Sequence, residues 1–128
     1  MVVDTSAVLA VLFEEPGAEW VVDRLVEHAS ELRMSTVNLT ETLIRLRDRQ
    51  PQLADKLEDE ILESGIRFVP PDVDQARVAA EARLRLPLNL GDCFAYALAA
   101  AEGVPILTLD RDFRRLEHPI LLPEAEGT

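Results

Sequence analysis

Short apolar runs alternate with longer stretches of helical period along almost the whole chain, and nothing else in the sequence limits the fold so strongly. Met1–Asp4, Arg33–Thr36, Ile66–Val69, Pro105–Leu109 and Ile120–Leu122 have the length and composition of strands. Amphipathic segments separate them, except before the last, where a short helix intervenes. Strands joined by helices need crossover connections, and these build a mainly parallel sheet covered by helices on both faces. The expected fold is a small α/β sandwich.

The helical segments have readable limits. The first strand leads into a helix through about Phe13, with Thr5 or Ser6 available as its cap, and Pro16–Gly17 breaks the chain. Trp20, Val21, Leu25, Val26 and Ala29 recur at helical spacing in the next. Val37–Arg49 carries Leu39, Leu43, Ile44 and Leu46 and is stopped by Pro51. Gln52–Ser64 turns Leu53, Leu57, Ile61 and Leu62 inward, with Gly65 as its C-terminal cap. Asp72 or Asp74 caps a helix to about Leu86, and Leu88–Gly91 connects it to Asp92–Glu102, closed by Gly103. Asp110–Leu116 is a short helix. The reading gives one domain over residues 1–123, with 124–128 as a loose tail.

At 128 residues and 48% hydrophobic content, one core can form without staples. The single cysteine, Cys93, excludes an internal disulfide. With no signal-peptide pattern after Met1 and no membrane-length apolar run, a cytoplasmic location is expected. The net charge of −11 argues against a surface that grips nucleic acid everywhere. Positive charge is concentrated in arginine clusters: Arg45, Arg47 and Arg49; Arg83 and Arg85; Arg111, Arg114 and Arg115. Such clusters either pair with surface carboxylates or fork onto phosphates locally.

Four acids carry the chemical signal. Asp4 and Asp110 each end an apolar strand, so both project from the carboxyl edge of the sheet, where ligands of open parallel sheets bind. Asp92 opens a helix behind Gly91, which allows close backbone approach, and Glu41 lies one turn into its helix. Individually they read as caps, turns or helix-surface pairs. Gathered in one pocket, they would repel each other unless a cation held them. Oxygen donors without thiolates or imidazoles favour Mg²⁺ or Mn²⁺.

VVDTSAVLA near the start, VNLTETLIRL in the middle and LNLGDCFAYALAAAEGVPILTLDRDF towards the end resemble the PIN-domain ribonucleases, most closely the VapC-type toxins of toxin–antitoxin pairs. The resemblance spans essentially the whole chain, and GDCFAYALA is its most specific part. It implies a PIN-like three-layer sandwich and endonucleolytic RNA cleavage with Mg²⁺ or Mn²⁺. It assigns Asp4, Glu41, Asp92 and Asp110 as the family's four acids, Asp112 as a further one, and Ser6 or Thr108 as a hydroxyl near the metal. Asp4 and Asp92 are the expected direct ligands. Glu41, Asp110 and Asp112 would hold waters, a second ion or the attacking water's proton. TLDRDF offers two acids two residues apart; Asp110 is expected inward, with Asp112 aiding it or capping the short helix. The resemblance also implies a homodimer and a basic VapB-like antitoxin, which would suit an acidic surface. A catalytically inactive PIN-like interaction module is the alternative.

Other enzyme classes fit poorly. A haloacid-dehalogenase phosphatase wants a second Asp where Ser6 stands, and a receiver domain wants a late lysine, whereas Lys56 is the only lysine. Cys93 lacks a histidine partner, and Asp92 beside it would raise rather than lower a thiol pKa. His28 and His118 lack ligand spacing. Trp20, Phe94, Tyr96 and Phe113 are too few for a base-stacking platform and read as core, with Tyr96, one turn beyond Asp92, a candidate for the border of the site.

Overall fold

Every strand pairing in the computed structural model, which describes residues 1–124, is parallel. The strands are β1 (Val2–Val3), β2 (Arg33–Ser35), β3 (Arg67–Val69), β4 (Ile106–Leu107) and β5 (Ile120–Leu121), in the spatial order β3-β2-β1-β4-β5. From β1 the chain winds outward through β2 to β3, then returns to the other side of β1 for β4 and β5. The strand order therefore reverses between β1 and β4, and the crevice beyond their carboxyl ends is the switch point where such sheets place ligands.

Period-two alternation distributes the core. Val2 and Ile106 enter one apolar cluster, and Val3 and Leu107 enter the other; all four are fully buried. Each contributes on the order of 1.5–3 kcal/mol by burial. Helices α1 (Thr5–Leu12), α2 (Ala18–Glu27), α3 (Thr36–Arg49) and α4 (Ala54–Leu62) contribute Val8, Val21, Leu46 and Ile61 to the second cluster. Helices α5 (Val73–Arg85) and α6 (Leu90–Glu102) contribute Ala79, Ala82, Leu98 and Ala99 to the first. The expected sandwich, a parallel sheet with helices on both faces, is the one observed.

Several local expectations need correction. Asp4 itself caps α1, so Thr5 and Ser6 lie in its first turn. Helix α6 begins two residues before Asp92, because the Asn89 side chain accepts the Asp92 N–H at 2.8 Å and nucleates the turn inside the expected connector. Helix α4 is shorter than Gln52–Ser64; Gly65 lies beyond its end, and Leu53 and Leu62 face solvent. Ile44 and Val26 are exposed as well, each on the outer side of a helix whose inner stripe is already filled. Asp72, rather than Asp74, caps α5 through the Gln75 N–H. Asp110–Leu116 is a 3₁₀ helix over Arg111–Arg115 capped by Asp110. No helix among the described residues is long and apolar enough to cross a membrane. The expected tail beyond Glu124 lies outside the described residues.

Candidate active site

Asp4 leaves β1 at the switch point and is 1% exposed. As the N-cap of α1, it turns its side chain back over the helix start, where two hydroxyls meet it. Ser6 Oγ donates to Asp4 Oδ2 at 2.7 Å and Thr108 Oγ1 donates to the same oxygen at 2.8 Å. Each hydroxyl in turn accepts a backbone N–H, from Leu109 at 3.0 Å and from Asp110 at 2.9 Å. Those N–H groups occupy the acceptor side of the hydroxyls and direct their single protons at Asp4. One carboxylate oxygen is thus locked while the other, Oδ1, is buried without a hydrogen-bond partner. An orphaned buried carboxylate oxygen is costly unless something positive meets it.

Glu41 is held on the other wall. Its Oε1 accepts from Thr5 Oγ1 at 3.0 Å and from Asn38 Nδ2 at 3.2 Å. Asn38, fully buried, also reaches the Gly91 carbonyl at 3.1 Å and so ties α3 to the start of α6. Gly91 leaves room for Glu41: a Cβ added to it would fall on the Glu41 carboxyl group and push it aside. Asp92 follows on the first turn of α6. Asp110 spends Oδ1 on the Asp112 N–H at 2.9 Å, capping the 3₁₀ helix.

Asp4, Glu41, Asp92 and Asp110 all line one cleft of about 420 Å³. Burial pushes the Asp4 carboxyl above its ordinary value, opposed by its bonds from Ser6 and Thr108. Asp92 is pushed up to about 7, first by burial and then by the negative charges of Asp4 and Asp110, with Glu41 adding to them. Mutual repulsion of this kind is relieved by a cation.

The donor set fits a hard divalent ion. Among the described residues, no three acidic, histidine or cysteine side chains are drawn together tightly enough to hold a metal ion as they stand. Mg²⁺ does not demand such a cage: it keeps several waters and takes one or two carboxylates plus substrate phosphate oxygens. Asp4, with its unpaired Oδ1, and Asp92 line the same cleft and would supply the one or two carboxylates such an ion takes.

Asp112 is exposed and does not line the cleft; the structure puts Asp110 there and leaves Asp112 in the first turn of the 3₁₀ helix. Tyr96 does not border the cleft either. It packs in the core beside His118, edge to face at 5.7 Å, and His118 bonds the Val104 carbonyl. Cys93 is buried, and burial followed by the Asp92 charge pushes its thiol up. Trp20 and Phe94 are half-buried and Phe113 wholly so. The network partners Asn38 and Thr5 escaped the sequence reading. Asn38 at three residues before Glu41 was the available signal, since that spacing puts both on one helix face.

The PIN domain family model matches residues 1–119. A VapC ribonuclease of Mycobacterium bovis is 40% identical over 124 residues, covering 88% of this chain and 92% of that protein. A ribonuclease VapC of Mycolicibacterium smegmatis is 37% identical, covering 89% and 94%. The structure of VapBC2 from Rickettsia felis, bound to a DNA fragment from its promoter, contains a chain that superposes with a TM-score of 0.79 at 15% identity, covering 94% of this chain and 96% of that one. The sarcin–ricin-loop-cleaving toxin VapC20 of Mycobacterium tuberculosis superposes with a TM-score of 0.74 at 22% identity, covering 88% and 92%. The two structures share the fold, the two sequences share the family, and the chain belongs to the PIN-domain proteins, among the VapC ribonucleases.

Proposed function

We propose that this chain is a divalent-metal-dependent endoribonuclease, the toxin of a toxin–antitoxin pair, working from the cleft at the β1–β4 switch point. The observation that carries the metal-dependent reading is Asp4: a buried carboxylate with one oxygen locked by two hydroxyls and the other unpartnered. Asp4 and Asp92 would hold Mg²⁺, or Mn²⁺ in its place. Such an ion would supply Lewis-acid polarisation of a phosphoryl oxygen and would lower the pKa of a water held by it.

The chain's own groups do the rest. Ser6 and Thr108 fix the Asp4 carboxylate so that its orientation is set before substrate arrives. Glu41 is anchored through Oε1 alone, which leaves Oε2 to position a water or take its proton. Asp110, anchored through Oδ1, does the same from the β4 side. Asp112 stands outside this arrangement. A VapB-like antitoxin with a basic segment is the expected partner: the neighbours include VapBC2 from Rickettsia felis and a toxin–antitoxin complex from Klebsiella pneumoniae, and a net charge of −11 suits a basic ligand. Assembly as a homodimer belongs to the same reading.

Incubation of purified protein with a mixed RNA pool tests it. Cutting in Mg²⁺ or Mn²⁺ that stops in EDTA and in Asp4→Asn is expected. RNA binding without any metal-dependent cutting would replace the enzyme with an inactive interaction module.

A further inference from the structure

Helix α3 carries more than Glu41 to the cleft. Arg45 and Arg49 line it too, so Glu41, Arg45 and Arg49 form one ridge at successive four-residue steps. Each step advances about 6 Å along the helix, on the order of one nucleotide of extended backbone. Both arginines are exposed. Arg45 makes no ion pair or side-chain hydrogen bond among the described residues; Arg83, Arg111, Arg114 and Arg115 are also unpaired there, but of these five only Arg45 lines the cleft. Arg49 is held at the mouth: its guanidinium lies 4.0 Å from the centre of the Phe13 ring and 3.7 Å from Glu15, which also lines the cleft.

An unpaired guanidinium at the edge of an acidic cleft would be expected to fold onto the acids. Arg45 does not, and is left free to bond elsewhere. We infer that Arg45 and Arg49 form a two-step phosphate track that receives the RNA backbone beside the cleaved bond, with Glu15 holding Arg49 until phosphate displaces it. This rests on the ribonuclease reading above. It also answers how so acidic a chain takes RNA: a local pair of planar forks replaces a basic surface. Both arginines are positioning residues in this scheme, and Arg47, which lies between them in sequence, is the internal control. It is tied to Asp55 and Glu58 and does not line the cleft.

The test is binding of a fluorescent, mixed-sequence single-stranded oligoribonucleotide across a salt series in Mg²⁺, in an Asp92→Asn background to suppress cutting. Each phosphate contact on a single strand contributes about 0.7 to the slope of log affinity against log salt. Arg45→Ala and Arg49→Ala should each lower the slope by about that amount and weaken binding roughly tenfold. Arg45→Lys should recover part of the affinity, Arg47→Ala should leave the slope unchanged, and Glu15→Gln should tighten binding several-fold. In the cleaving protein, Arg45→Ala should raise KM with little change in kcat. Equal slopes for the Asp92→Asn protein with and without Arg45→Ala or Arg49→Ala, while the protein with Asp92 intact cleaves RNA, would overturn the track and leave the nuclease standing. A protein that neither binds nor cleaves RNA would sink both.

Discussion

Asp92→Asn should make the metal-free protein more stable while abolishing cleavage. Asp92 is 7% exposed, and its carboxyl is pushed up to about 7 from an ordinary value of 3.8. Between those values the folded chain binds more protons than the unfolded one, so the contribution of Asp92 is full below about pH 4 and is lost as pH rises through 7. A shift of roughly three units has a ceiling of about 4 kcal/mol. The open cleft screens the repulsion, and about 1–2 kcal/mol should survive. For a chain of 128 residues, this is a rise in Tm of about 4–7 °C for the Asn variant at pH 8. Thermal unfolding followed by circular dichroism in EDTA, from pH 4.5 to 8, measures it. The gain should shrink steadily toward the acid end, where the folded wild-type carboxyl is also neutral. Adding Mg²⁺ or Mn²⁺ should then stabilise the wild type, by about 2.7 kcal/mol at a hundredfold excess over Kd, and reverse the order. An Asn variant that is equal or less stable at pH 8 in EDTA would refute the reasoning, because the carboxylates would then not be straining the cleft.

Gly91→Ala places its methyl group on the Glu41 carboxyl; cleavage should fall by at least tenfold, and a urea titration should show only a modest loss of stability. Thr108→Val removes a donor to Asp4 and the acceptor of the Asp110 N–H, and should cost about 1–3 kcal/mol in the same titration. Asp110→Asn should lose most cleavage while Asp112→Asn keeps wild-type rates, since only Asp110 lines the cleft; equal loss in both would put Asp112 back in the reaction.

Much of this architecture was legible because strand and helix periods differ. Val2–Val3 runs straight into Asp4 and the apolar run Pro105–Leu109 ends at Asp110, which marked both the central strands and the edge from which the two acids emerge. Glu41 and Asp92 were placed by resemblance more than by pattern, since an acid on a helix is ordinary. What was missed depended on tertiary contacts. Asn89 looked like part of a loop until its side chain was seen to cap α6. Ile44, Leu62 and Val26 have the right residue type for a core, but a helix packed on one side buries only one stripe and they fall outside it, while Leu53 lies just before α4. The separation of Arg45 from the paired Arg47 follows from which helix face meets the cleft, and three arginines at alternate positions do not reveal that.

Binding of Mn²⁺ to the purified protein, followed by electron paramagnetic resonance in wild type, Asp4→Asn and Asp112→Asn, addresses the central claim without needing the RNA target. The orphaned Oδ1 of Asp4 predicts that wild type and Asp112→Asn bind alike and that Asp4→Asn binds at least tenfold more weakly. Wild type that takes up no Mn²⁺, or an Asp4→Asn variant that binds as well as wild type, would show that the cleft at the switch point is not a metal site.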